Sequence, residues 1–352
     1  MKKVKINLEI VTHMLSFGNN TEKPEFRIPE LKALMRNIFR ELYDFKDVDD
    51  MKNKEEILFG SLKKKSPISL KLKSMKVFNE EVEVLPHKKS VKMKAIPPKT
   101  KVTLYMFGRD EEKLDMYMIL LILSSIIGSL GRRSRKGFGS FKIIRIEGEK
   151  ESQYKEYGEL ISKSAVDIFR KLEEICCDKF YKMRKIDIYK DKHDRLSIVN
   201  IKDFSNKYKL NYPYAEKIHI IKIEKNIRYK ELIKYISKLT HDRLCFNIKG
   251  RKDFREGIPY KYRVDKNILG NYRSNSRFAA PVVVSFWENS KNKYLILKEL
   301  NINYQLQALC KQENKGKKQE EKYSYKEFEK ANISYVDKYI NKLIYIAKGE
   351  KK

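Results

Sequence analysis

The sequence predicts an α+β protein made of two ferredoxin-like (RRM-like, βαββαβ) domains with insertions, spanning residues 1–150 and 151–352. Period-two apolar runs alternate with period-3.6 runs in the order β-α-β-β-α-β up to residue 147. Charge and glycine then take over around residues 148 to 158, which reads as a boundary. With 352 residues and 41% hydrophobic composition, the chain has material for two cores of ordinary size.

The elements follow in order. Val4, Ile6, Leu8 and Ile10 alternate with polar residues, the signature of a half-buried strand. PELKALMRNIFRELY places Pro29 at a first helical turn and puts Leu31, Leu34, Met35, Ile38 and Leu42 on one face. Lys32, Arg36 and Arg40 recur four apart beside that face, so one helix offers a core stripe and a basic stripe. ISLKLKSM (68 to 75) and a Val/Lys-alternating stretch near 90 to 95 read as strands, as does KVTLYMF (101 to 107). Residues 111 to 130 are apolar nearly all round, which predicts a buried helix, and SFKIIRIE (140 to 147) returns as a strand.

In the second half, helices are expected near 158–182, 228–243 and 325–347. Strands are expected near 196–200 and 217–224, with a further pair around 280–299. Two stretches rich in both aromatic and basic residues, GRKDFREGIPYKYR (250 to 263) and NYRSNSRF (271 to 278), form a candidate RNA surface that includes Arg277.

Charge narrows the function. The net charge of +31 repels itself in a compact chain and calls for a polyanionic partner, of which nucleic acid is the leading class. The four cysteines form no CxxC pair and read as reduced thiols of a cytoplasmic protein. The apolar run at 116–130 is too short to span a membrane, and no membrane partner is expected.

The densest signal is GSLGRRSRKGFGS (128 to 140), with four glycines, four cations and no acid. Phosphate loops of nucleotide sites lie between a strand and the helix that follows it. Here a helix runs in and a strand leaves, and the glycine spacing matches neither motif, so no nucleotide cofactor is expected. Gly131 is placed to end the helix, while Gly137 and Gly139 allow tight turns. Arg132, Arg133, Arg135 and Lys136 are candidates to grip phosphate oxygens, with Phe138 either near a base or packed under the loop.

RRSRKGFGS resembles the glycine-rich loop of the RAMP superfamily of CRISPR effector proteins, in which a basic, serine-containing run precedes Gly-aromatic-Gly. VTHMLSFG, PEFRIPELKALMRNIFREL and EEILFGS are similar in order and spacing to the N-terminal half of the first-numbered RAMP subunit family of the type III-B (Cmr) complex. RFAAPVVVSFW (277 to 287) resembles its arginine-led strand more loosely. His13, Asn19, Glu30 and Ala33 depart from the family pattern, and Glu30 would repel phosphate at the first helix. The resemblance implies a non-catalytic RNA-binding subunit that helps capture target RNA at the 3′ end of the guide RNA. Its implied partners are guide RNA, target RNA and other RAMP subunits, especially the sixth-numbered. The slicing aspartate of the superfamily's backbone subunit has no counterpart in SFGNNTEKPEF.

Two other functions compete. RAMP relatives that process CRISPR transcripts use a histidine near a basic loop, which makes His13 the candidate of a metal-independent endoribonuclease. A basic assembly protein that touches only other subunits would have no RNA affinity of its own. The two HDRL tetrapeptides, at His193-Asp194 and His241-Asp242, lack the further ligands of a metal phosphohydrolase, and no metal is expected.

Overall fold

A computed structural model describes residues 1–20, 22–75, 79–84, 91–148, 154–176, 181–202, 214–241, 282–301 and 325–350. Together they form a mixed α+β fold of antiparallel sheets and helices. The first sheet contains β1 (Lys2–Ile10), β2 (Ile68–Met75), β5 (Lys101–Gly108) and β6 (Phe141–Gly148), in the order β2-β5-β1-β6. Between β1 and β2 lie α1 (Ile28–Leu42) and α2 (Val48–Phe59); between β5 and β6 lies α3 (Glu111–Ile127). Helices thus follow the first and third strands of this sheet, as the βαββαβ reading expects. The inserted hairpin is β3 (Glu80–Glu83) paired with β4 (Lys92–Ala95).

After α4 (Lys155–Leu160) and α5 (Ala165–Cys176) comes a second sheet. Its strands are β7 (Ile186–Lys190), β8 (Leu196–Ile201), β9 (Ala215–Lys222), β10 (Val282–Glu288) and β11 (Lys293–Leu300), in the order β10-β11-β9-β8-β7. Helices α6 (Tyr229–His241) and α7 (Tyr325–Ala347) accompany it.

The all-round apolar character of α3 has a direct cause. One side packs on α1 and the first sheet and another on β10 and β11 of the second, so both sheets share this helix in one apolar core. Asp110 caps its start by accepting the Lys113 N–H at 3.1 Å, and Glu111 and Glu112 suit the positive end of the helix dipole. Alternation along β10 sends Val283 and Trp287 into the shared core and Val282, Val284 and Phe286 to a second core under α6 and α7.

Several expectations need correction. The helix expected to reach 130 stops at Ile127, capped by Gly128 in extended backbone, so Gly131 does not end it. The helix expected over 158–182 is broken, because the Ser164 hydroxyl accepts the Asp167 N–H and starts α5 as a new helix. Strand β7 was not expected, and neither was α2, whose Asp47 accepts the N–H groups of Asp49 and Asp50. The candidate RNA surface at 250–278, including Arg277, lies outside the described residues. Among the described residues no helix is long and apolar enough to cross a membrane.

Candidate nucleic-acid interface

The glycine-rich loop sits where the two sheets meet, and its backbone is hydrogen-bonded on both sides. Toward the first sheet, Arg132 N–H donates to the Leu15 carbonyl at 2.8 Å and Gly139 N–H to the His13 carbonyl at 2.9 Å. Thr12 Oγ1 donates to the Gly137 carbonyl at 2.7 Å and accepts the Ser140 N–H at 3.0 Å. Toward the second sheet, Val284 N–H donates to the Arg135 carbonyl at 3.1 Å and Phe286 N–H to Ser140 Oγ at 2.9 Å. Strand β10 is the edge of its sheet, so the loop satisfies amides that would otherwise stand open.

These bonds explain the glycines. Gly131, Gly137 and Gly139 all have φ between +74° and +86°, the left-handed region that penalises a side chain. A Cβ on Gly139 would collide with the Leu130 carbonyl, and one on Gly137 would lie 2.5 Å from the Phe286 ring. Arg133 also has positive φ, 58°, at a turn closed by the Lys136 N–H and the Arg133 carbonyl at 2.8 Å. The loop is therefore a fixed frame for its cations.

Arg132 and Arg135 are exposed, and Arg133 and Lys136 are half-buried. The Arg132 guanidinium lies 5.3 Å from the centre of the Phe17 ring, and the Lys136 ammonium 5.9 Å from that of Tyr339. Phe138 is 2% exposed in the core under α6 and α7, so of its two expected roles it takes packing under the loop, and its ring is closed to a base.

The basic stripe of α1 does not join this group. Leu34 and Glu41 mark the side of α1 nearest the loop, since Leu34 would touch a Cβ on Gly128 and the Glu41 charge acts on Arg135. Residues two apart on a helix point about 200° apart, which turns Arg36 away from Leu34. Arg36 donates to the Gly60 carbonyl at 3.0 Å and lies 3.9 Å from Glu55, and Arg40 makes a two-pronged bond to that same carboxylate. Both arginines hold α2 against α1. Lys32 is half-buried; burial and the neighbouring Arg36 lower its pKa. Glu30 is bonded by the Ser16 hydroxyl at 2.7 Å and lies 3.5 Å from Arg27.

Beside the loop opens a cavity of about 340 Å³, lined by Val11, His13, Phe138, Tyr229 and Ile233, with Lys99, Lys230 and Lys234 among its walls. At its side Lys142 bridges Glu9 at 3.0 Å and Glu288 at 2.7 Å, and the Tyr229 hydroxyl donates to Glu288 at 2.8 Å. Burial works against the Lys142 charge, but the two carboxylates prevail and raise its pKa. His13 Nε2 lies 3.1 Å from a Glu80 carboxylate oxygen on the hairpin. Its ring thus faces an acid. Among the described residues no cluster of three His, Cys, Asp or Glu side chains could hold a metal, and His193-Asp194 lies in the β7–β8 turn, where Asp194 pairs with Lys190 at 3.0 Å.

Sequence reasoning missed Thr12 and Ser140, the hydroxyl pair that locks the loop. Their only signal was position: one stands just after a strand and the other just after Gly-Phe-Gly.

The structure thus combines antiparallel α+β units with a basic glycine-rich loop between a helix and a strand. Residues 8–142 match the family model of the RAMP superfamily. Over that stretch the chain is similar to RAMP-superfamily proteins, Cmr1 subunits among them. It is 29% identical over 157 residues to the CRISPR system Cmr subunit Cmr1-1 of Pyrococcus furiosus, a match covering 39% of this chain and 46% of that one. It is 26% identical over 173 residues to Cmr1-2 of the same organism, covering 39% of this chain and 92% of the relative. The chain thus spans about half the length of the first of these relatives. Its fold is similar to the crystal structure of Cmr1 from P. furiosus in apo form, with TM-score 0.53 and 18% identity over 86% of this chain and 88% of that one. A chain of the type III-B Cmr-beta complex bound to cognate target RNA aligns with TM-score 0.51 and 14% identity, covering 98% and 99%.

Proposed function

We propose that this chain is a non-catalytic RNA-binding subunit of a type III-B CRISPR ribonucleoprotein, helping to capture target RNA at the guide RNA 3′ end. The observation that carries the reading is the loop: Arg132, Arg133, Arg135 and Lys136 stand on a backbone fixed from both sides. Cations placed in advance on a rigid frame contact phosphates without first having to order a flexible segment. The related Cmr subunits, and a similar fold within a complex bound to cognate target RNA, favour guide or target RNA as the polyanion. Other RAMP subunits, the sixth-numbered among them, are the proposed protein partners.

The reading includes two ferredoxin-like domains divided near residue 150. In the second sheet β9, α6, β10, β11 and α7 supply five elements of the plan, and β8 pairs with β9 on the side away from β11, where the plan has its last strand.

The endoribonuclease alternative is less favoured, because a general base or acid needs access to the RNA hydroxyl, whereas His13 Nε2 is buried, 3.1 Å from a Glu80 carboxylate oxygen. The test is incubation of the purified chain with labelled single-stranded RNA in EDTA, reading binding and cleavage from the same samples. Salt-sensitive binding to RNA that stays intact is the expected result. Metal-free cleavage abolished by His13→Ala would overturn it.

A further inference from the structure

One face of the first sheet packs on α1 and α3 through Val4, Ile6, Leu8, Val102, Leu104 and Met106. The opposite face follows from the alternation and the register. Tyr105 on β5 stands between Lys5 on β1 and Lys71 on β2, and Phe107, on the same face of β5, stands opposite Lys3. The register shift between Leu72 and Ser74 leaves Lys73 as an extra residue, and its ammonium reaches 5.3 Å from the centre of the Tyr105 ring. The Lys3 ammonium lies 3.9 Å from the same centre. Glu147 is an acid of this neighbourhood among the described residues, and Lys5 at 2.7 Å and Arg145 at 2.6 Å both bind it. Lys3, Lys71 and Lys73 are exposed, and Tyr105 and Phe107 are partly so.

The geometry points to a second RNA site on this face, where an unpaired base stacks on Tyr105 while Lys3, Lys71 and Lys73 meet the adjoining phosphates. A stacking ring ringed by cations is the combination that single-stranded nucleic acid binding requires. The face is too rich in lysine and too poor in apolar area for the core of a protein interface, where lysine is depleted. Lys3 covers the ring in the free protein, but an exposed ammonium over a ring is worth less than a base stacked on it, so a base displaces it. The Lys73 hydrogen bond and the charges of Lys73, Lys3 and Lys5 hold the Tyr105 phenol below its ordinary pKa, which attests to the local positive field. The inference adds a surface to the RNA-binding reading but does not use the loop.

The test compares Tyr105→Leu, which removes the ring, with Tyr105→Phe, which keeps it, and with the loop variant lacking its four cations. Each is titrated with labelled single-stranded oligouridylate, with melting temperatures recorded to confirm folding. A photocrosslinking arm uses the same RNA carrying 4-thiouridine. Tyr105→Leu is expected to weaken binding about fivefold or more, Tyr105→Phe to stay near wild type, and the crosslink to fall on the peptide containing Tyr105. Unchanged affinity in folded Tyr105→Leu would overturn the site and leave the face to an acidic protein surface. If only the loop variant loses affinity, the second site falls and the proposed function stands. If only Tyr105→Leu loses it, the loop falls and the sheet face carries the RNA.

Discussion

The hydroxyl of Ser140, at the end of the glycine-rich loop, accepts the backbone N–H of Phe286 on the second sheet at 2.9 Å and lies 2.9 Å from Ser129 Oγ. That one side chain ties together the two ends of the loop and the edge of the neighbouring sheet. All the groups involved are buried.

Ser140→Ala should therefore cost about 1–3 kcal/mol, because it leaves the buried Phe286 amide without an acceptor. Chemical denaturation measures it. A loss below about 0.5 kcal/mol would mean that Ser140 does not anchor the strand edge.

Glycine substitutions should separate by conformation. Gly139→Ala meets both positive φ and the Leu130 carbonyl, and should destabilise by about 2 kcal/mol or more. Gly158 lies in α4, and a Cβ added there would have nothing within 4 Å, so Gly158→Ala should stabilise by up to about 1 kcal/mol. Paired thermal melts of the two variants give the signs.

The buried ion pair of Lys298 on β11 with Glu41 on α1 joins the second sheet to the first helix. Lys298→Met alone strands a buried carboxylate and should cost about 3–5 kcal/mol, whereas the double variant E41M/K298M should recover most of that loss. A double variant no more stable than the single one would contradict the pairing.

Acid should loosen the turn that joins β7 to β8 and the end of α7. Burial opposes the Asp191 charge, yet Lys348 at 2.8 Å and the amides of Leu196 and Arg195 outweigh it and hold the carboxyl down at about 2. A depressed native pKa contributes stability above the unfolded value near 3.8 and loses it as pH falls toward 2. Asp191→Asn should flatten the stability profile in that window and leave the slope near neutrality unchanged, as read from denaturation at stepped pH.

Much of this was legible in the sequence, for identifiable reasons. Strict alternation at Val4, Ile6, Leu8 and Ile10 and the all-round apolar run of α3 each admit one packing solution, and both elements form where expected. The break after α4 depends on a single hydroxyl, Ser164, and α2 on a single cap, Asp47, signals too local for periodicity to reveal. At the site, the loop cations stand together because they are contiguous. The contact of Arg36 and Arg40 with Glu55 was not legible, because a basic stripe looks the same whether it meets solvent or, as here, a glutamate from the next helix. Lys3 and Tyr105 went unread because attention to the buried face of a strand says nothing about which exposed residues become neighbours across the sheet.

The most direct test of the central claim is the salt dependence of RNA binding by the variant in which Arg132, Arg133, Arg135 and Lys136 are all alanine, beside the parent chain. For a single strand, the slope of log affinity against log salt changes by about 0.7 for each phosphate contact removed. The expected result is a folded variant with weaker binding and a slope flatter by about two to three, for three or four lost contacts. An unchanged affinity and slope in a folded variant would contradict it, because the loop would then not hold RNA.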